Sequence, residues 1–175
     1  TATQPAAPTK EGHTFGGWFA DESLTTAFDF SLPITANTTV YAKWNVVKYT
    51  VTFVANGGSA VAEATVESGN AVVKPEDPVK DGFVFKGWFA DSELTTVYDF
   101  AAAVTQNATV YAKWNALFTV AFDTNGGSEI VAVRVENGST LARPENPVKD
   151  GFVFKGWFTD EDCTEKFDFT VGITS

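Results

Sequence analysis

Apolar and polar residues alternate along most of this chain with a period of two, not 3.6. Tyr49, Val51 and Phe53 fall on one face of an extended segment, and Thr50, Thr52 and Val54 on the other. Phe118, Val120 and Phe122 repeat the first set. Each place is predicted to be a strand with one apolar face. Asn56-Gly57-Gly58 and Asn125-Gly126-Gly127 come next, and Asn-Gly tolerates the positive φ that a tight hairpin demands. A second strand is predicted through Ala62, Ala64 and Val66, with Val131, Val133 and Val135 as counterparts. Its other face carries Glu63, Thr65 and Glu67, which should meet water, and Gly69 and Gly138 end it.

The next stretch holds Pro75 and Pro78, two rings that exclude a regular strand. Pro75 is placed to open a short helical turn, with Glu76 and Asp77 at its start. Phe83 and Phe85 then alternate with Val84 and Lys86, which predicts a third strand. Gly87 breaks the alternation, as a bulge or a close backbone approach would. Ala90–Thr96 is polar and turn-like, and Val97–Phe100 is a short extended piece. Thr109–Trp114 is the last predicted strand, with Val110, Ala112 and Trp114 on one face and Tyr111 and Lys113 on the other.

This set of segments recurs. TVYAKWN stands at Thr39–Asn45 and Thr109–Asn115, an offset of 70. PEDPVKDGFVFKGWF at Pro75–Phe89 returns as PENPVKDGFVFKGWF at Pro144–Phe158, an offset of 69. A diverged copy, PAAPTKEGHTFGGWF, occupies Pro5–Phe19. The chain is therefore a tandem array. Residues 1–45 are the C-terminal part of a repeat, 46–115 a complete one, and 116–175 a repeat without its last strand. Only Val46-Val47-Lys48 joins the first to the second, with no Gly, Ser or Pro to make a flexible linker.

Composition narrows the function. The 175 residues are 44% hydrophobic and 19% charged, a globular balance, and the net charge is −10. The three repeats carry −2, −3 and −5, so none is a hidden anion binder. Without a Lys/Arg cluster, nucleic acid, heparin-like glycans and anionic membrane surfaces are poor partners. A unit of about 70 residues is near the lower limit for a self-sufficient core. Phe83, Phe85, Trp88 and Trp114 are accordingly expected to be that core, not a ligand site. One cysteine, Cys163, allows no internal disulfide. With the single histidine, His13, it makes no His/Cys zinc site and no nucleophile–base pair. The absence of Met fits an oxidation-exposed, secreted protein. No apolar run approaches the ~20 residues of a membrane span. TATQPAAPTK lacks a signal-peptide core, so the chain reads as mature or as part of something longer.

A strand ending in NGG, then PxxPxxxGFxFxGWF, then YDF and TVYAKW resembles the Listeria–Bacteroides repeat, also called the B-repeat of listerial internalins. The resemblance covers essentially the whole chain. It implies a β-grasp-like fold, which with the residue pattern above gives mainly β tandem repeats of about 70 residues with a short helix per unit. It also implies a place in secreted or wall-attached bacterial surface proteins, often as a multi-copy stalk. The family brings no catalytic residues. The first copy departs from the pattern at His13, where Phe83 stands in the second, and at Gly16, where Lys86 stands.

Several motifs invite sharper readings. Leu32-Pro33-Ile34-Thr35 resembles the start of a sortase signal, but Ala36 replaces the required Gly and no hydrophobic tail follows. Asn37-Thr38-Thr39, Asn107-Ala108-Thr109 and Asn137-Gly138-Ser139 fit the glycosylation sequon, and a turn before a strand explains each. Asp91-Ser92-Glu93, with Asp21-Glu22 and Asp160-Glu161-Asp162 in register, offers oxygens to calcium but lacks a dedicated loop's spacing. Turn and cap roles are commoner for such residues. Asp29, Asp99 and Asp168 recur in [FY]DF; a carboxylate repeated in every unit better satisfies backbone donors than hydrolyses a glycoside. His13 and Cys163 each occur in one copy, replacing Phe83 or Phe152 and Leu94, and read as semi-buried substitutions. Lys43 or Lys113 has the chemistry for a Lys–Asn isopeptide, with no partner identified.

The sequence thus reads as a non-enzymatic spacer of a bacterial surface protein, without catalytic, cofactor or metal residues. Its expected partners are neighbouring repeats of the same chain. The alternative is a module that holds a host protein or glycan through exposed aromatics or a sheet edge; an accessory domain of a secreted hydrolase is a third class. The two incomplete ends are complementary in content, which raises head-to-tail self-association through open strand edges.

Overall fold

A computed structural model describes residues 1–174. Contacts gather the chain into two compact units. The first holds residues 1–54, 61–76 and 89–111; the second holds residues 55–60, 77–88 and those from Ala112 onwards. The complete middle repeat is therefore divided between them. Among the described residues there are seven strands and no helix: β1 (His13–Phe19), β2 (Tyr41–Val46), β3 (Lys48–Val54), β4 (Ala64–Glu67), β5 (Phe83–Phe89), β6 (Ala108–Val120) and β7 (Val133–Glu136).

In the first unit β1 pairs antiparallel with β2, and the register slips between Phe15 and Gly17. Gly17 has φ +112°, a left-handed backbone that a side chain would strain, and Gly87 has φ +115°. The glycine expected to bulge its strand thus sits in the backbone a bulge needs. β3 pairs antiparallel with β4 over Lys48–Val51 and parallel with the start of β6 over Val51–Val54. Val51 lies where the neighbour changes and is 0% exposed. Phe53 is buried, and its ring lies parallel to that of Phe100 with centroids 6.5 Å apart. Val66, Val72, Phe89, Val104 and Val110 complete this unit's buried set. Where the first repeat meets the second, Val47 N–H donates to Gly12 O (2.9 Å) and Ser68 N–H to Val47 O (2.8 Å).

In the second unit the end of β6 pairs antiparallel with β7, from Leu117 against Glu136 to Val120 against Val133. β5 is the other hydrogen-bonded neighbour of β6. Trp88 is 1% exposed. The Phe85 ring meets Trp88 and Trp114 edge-on, at 5.5 and 5.3 Å. The second repeat junction repeats the first: Leu117 N–H donates to Gly82 O and Asn137 N–H to Ala116 O, both at 2.8 Å. It is one residue shorter, so β6 runs unbroken for 13 residues from one repeat into the next.

Four sequence expectations need correction. The helical turn at Pro75 does not form. Its continuation is committed elsewhere: Ser59 N–H donates to Val79 O (2.8 Å), Val79 N–H to Ser59 Oγ (2.9 Å) and Lys80 Nζ to Asn56 O (3.0 Å). Pro78 has no N–H with which to close a turn. The third repeat makes the same clamp through Ser128, Val148, Lys149 and Asn125. Second, the Asn-Gly turn has two positive φ values, 49° and 84°, but makes no tight hairpin. The clamp draws residues 58–60 away, and β4 starts only at Ala64, leaving Ala62 and Val131 outside the strands. Third, Phe83 is 39% exposed, with Lys80 Nζ 4.2 Å from its ring centroid. It lies outside the core, whereas Phe85 and Trp114 are half-buried. Fourth, GFVFKGWF forms β5 at Phe83–Phe89 but no strand at Gly151–Phe158. The octapeptide is identical in both places, so its own residues do not decide whether it forms a strand.

Trp88→Ala is expected to cost ~3–5 kcal/mol, the usual penalty for emptying a core aromatic site. Phe83→Ala, at an exposed ring, should cost under about 1 kcal/mol. Thermal melts followed by circular dichroism check the pair; equal losses would contradict this division of core and surface.

Candidate functional site

The three acidic loops are built alike. Asp91 carboxylate oxygens accept from Thr95 N–H (3.1 Å), Thr96 N–H (2.8 Å) and Thr95 Oγ1 (3.2 Å). Asp21 accepts from the hydroxyl of Ser23, from Thr25 N–H and Oγ1, and from Thr26 N–H. Asp160 accepts from Thr164 N–H and Oγ1 and from Glu165 N–H. Between the aspartate and these donors, Leu24, Leu94 and Cys163 adopt φ of 56°, 57° and 54°. A left-handed side-chain-bearing residue costs roughly 1–2 kcal/mol, and the carboxylate holds the loop in that state. Each carboxylate is engaged by several donors of its own loop. These hydrogen bonds lower the carboxyl pKa values. For Asp160 the Glu165 N–H is the largest influence and the value falls to about 2. Asp91 is lowered chiefly by Thr95 N–H, and Asp21 chiefly by the Ser23 hydroxyl.

The [FY]DF aspartates face backbone donors two residues on. Asp29 accepts from Ser31 N–H (2.9 Å), Asp99 from Ala101 N–H (2.8 Å) and Asp168 from Thr170 N–H (2.8 Å). Among the described residues no group of three His, Cys, Asp or Glu side chains comes together to hold a metal. Ile34 of the LPIT stretch is 45% exposed, whereas Val104, 70 positions on, is buried, tied by Val104 N–H to Asn70 O and by Gly69 N–H to Val104 O. The sequon residue Asn107 accepts from Thr50 N–H with its side chain (2.9 Å). His13 is half-buried, with Nδ1 2.8 Å from Glu11 O. Cys163 is exposed, not semi-buried.

The Lys, Asn and Glu types that form isopeptides meet in one cluster away from Lys43. Lys43 Nζ lies 5.1 Å from the Phe19 ring centroid. Instead, Lys86 Nζ is 3.0 Å from Glu136 Oε2, and Asn115 Nδ2 donates to the same oxygen at 3.2 Å. Lys86 foremost, then Asn115, lowers the Glu136 pKa. Both charged groups reach water. The cluster is an ion pair that links β5 of one repeat to β7 of the next. The sequence held a signal for it: Asn and Glu recur at this junction as Asn45 and Glu67, where Lys48 lies 3.7 Å from Glu67. Likewise, the joint recurrence of NGGS and PVK marked the Ser–Lys clamp.

The third repeat contains a groove. A cavity of about 1050 Å³ opens between residues 120–125 and 152–158 of the second unit, with Leu141 and Pro147 also lining it. Phe122 and Trp157 meet across its floor at 5.1 Å. The Trp157 indole N–H is buried without an acceptor. Phe152 at its rim is 71% exposed, with Lys149 Nζ 4.6 Å from the ring centroid.

Comparison with known proteins agrees with the internal repeat. The Listeria–Bacteroides repeat domain matches residues 1–43, 49–113 and 118–175. A protein of Evansella cellulosilytica named "Putative membrane protein" is 45% identical over 175 residues, 98% of this chain and 26% of that protein. A second protein of the same organism is 44% identical over 170 residues, 95% of this chain and 20% of its own length. Internalin H of Listeria monocytogenes is 35% identical over 116 residues, 63% of this chain and 21% of that protein. The chain thus spans about a quarter or less of the length of these relatives. Among the described residues no helix is long and apolar enough to cross a membrane.

The loop carboxylates carry a pH dependence. Asp160 titrates at about 2 when folded, below the ~4 of an unfolded aspartate. Its contribution is therefore complete above pH ~4 and is lost as pH falls through about 2. Carboxyl chemical shifts against pH should place Asp160 well below 4, and Asp160→Asn should lower the melting temperature at pH 7 while flattening the acid-side decline. Titration of Asp160 near 4 would contradict the loop geometry.

Proposed function

Since the chain belongs to the Listeria–Bacteroides repeat family, we propose that it is a non-enzymatic spacer or stalk segment of a bacterial cell-surface or secreted protein. The observation that carries this reading is the hydrogen bonding at both repeat junctions. Main-chain bonds from Val47 to Gly12 and from Leu117 to Gly82 stand where a flexible linker would otherwise be. A spacer must keep its segments from collapsing onto one another, and neighbouring repeats bonded through their backbones resist that. We read the strand order β4-β3-β6-β5, with its parallel central pair, as a β-grasp without its helix. An extracellular, wall-associated setting agrees with a membrane-protein relative and an internalin relative.

Adhesion to a host protein or glycan is the second reading. Val148, Phe152 and Val153 are each more than two-thirds exposed in the second unit, and apolar side chains in water favour a contact surface.

An epitope displayed on bacterial cells behind one, two or three complete repeats separates the readings. The spacer reading expects antibody access on intact cells to rise with repeat number, while purified repeats show no saturable binding to host glycans or matrix proteins. Access independent of repeat number would overturn it, and saturable binding by the purified chain would favour adhesion.

A further inference from the structure

The complete middle repeat is gripped where the chain enters and leaves it. Val51–Val54 and Ala108–Tyr111 run parallel and pair residue by residue. Side chains lengthen this short ladder at both ends. Before it, Thr50 N–H donates to Asn107 Oδ1 (2.9 Å). Beyond it, Asn56 Nδ2 donates to Ala112 O and Trp114 Nε1 to Ala55 O, both at 2.8 Å. Val51 and Val110 are 0% exposed, so water has little access to compete for the bonds around them. The Trp114 indole is pressed against Gly58, where an added Cβ would overlap its Cζ2 atom. Sliding β6 along β3 would have to dislodge that ring.

Chain direction decides how this grip meets tension. A pull along the chain reaches β3 at its first residue, Lys48, and reaches the closing segment of β6 from beyond Trp114. Because the two strands are parallel, those points lie at opposite ends of the pair. The load therefore slides one strand past the other, and every bond of the ladder bears it at once. An antiparallel pair joined to the chain in the same order would be pulled at one end and would open one bond at a time. The crossover from Ala55 to Asn107 lies behind the ladder and extends only once the ladder yields. Every residue of this geometry belongs to the complete repeat.

We propose that the parallel pair of β3 and β6 is a force-bearing clamp, which resists tension along the chain far better than it resists opening from one end. This goes beyond the spacer reading, which requires length but no resistance to tension. The clamp is measured on the isolated chain, so either reading can fail without the other.

The test pulls the full chain in two directions with optical tweezers. In both, Cys163→Ser removes the native thiol, and DNA handles are attached at exposed positions. Val46→Cys with Thr119→Cys loads the pair lengthwise, and Val46→Cys with Gln106→Cys loads it from one end. Lengthwise rupture is expected at about twofold higher force or more, because the bonds break together and not in turn. It should release roughly 200 Å, at ~3.3–3.6 Å for each residue from Thr50 to Trp114 less their folded span. Asn56→Gly keeps the left-handed turn, where Asn56 has φ 49°, and removes the side-chain bond to Ala112. It should lower the lengthwise force and leave the one-ended force unchanged, since opening from Thr50 passes its peak before residue 56 is reached. Equal forces in the two directions would overturn the proposal. So would an Asn56→Gly loss of the same size in both, which marks faster unfolding by ordinary destabilisation.

Discussion

Parallel pairing between Val51–Val54 and Ala108–Tyr111 joins residues 57 positions apart and closes the middle repeat. A parallel pair cannot be made by a turn; it needs a long crossover, whose closure entropy must be offset by what the pair buries. Here the return is large. Val51, Val110 and Ala112 are fully removed from water, and Trp114 brings its N–H to Ala55. The octapeptide GFVFKGWF reports the effect. Beside β6 it is a strand; in the third repeat, where no such neighbour is described, it is not. Its strand character resides in the partner, as expected when β preference measures packing more than backbone.

The crossover itself is held by polar groups that recur in each repeat that contains them. Ser59 and Lys80, or Ser128 and Lys149, tie the Asn-Gly turn to the Pro-Val-Lys segment. Asp21, Asp91 and Asp160 each gather two backbone N–H groups and a threonine hydroxyl. These carboxylates supply the structure that a loop of this length otherwise lacks. The same donors recur around each of these carboxylates, so their repetition along the chain matches this loop-holding role.

Tandem continuity follows from the same economy. The closing strand of one repeat is also the approach to the opening strand of the next. At the second junction the two are one strand of 13 residues, and at the first the extra residue Val47 interrupts the ladder. Surface ion pairs such as Lys86–Glu136 add at most about 1 kcal/mol each. The backbone bonds to Gly12 and Gly82 do more, because they leave no free linker to flex.

The sequence by itself determined the array, its period and its β character, since identical segments at offsets of 69 and 70 and a period of two need no tertiary information. It also identified the Gly87 break and the family resemblance. Tertiary structure alone decided three things. Residues 73–80 stay irregular because their partners lie some 20 positions away at Ser59 and Asn56, beyond any local propensity. Phe83 is exposed beneath the Lys80 ammonium although Trp88 in the same octapeptide is buried, a difference that alternation along the octapeptide does not set. Gly58 lies under the Trp114 indole, 56 positions on in the chain, a close approach that only the folded sheet creates.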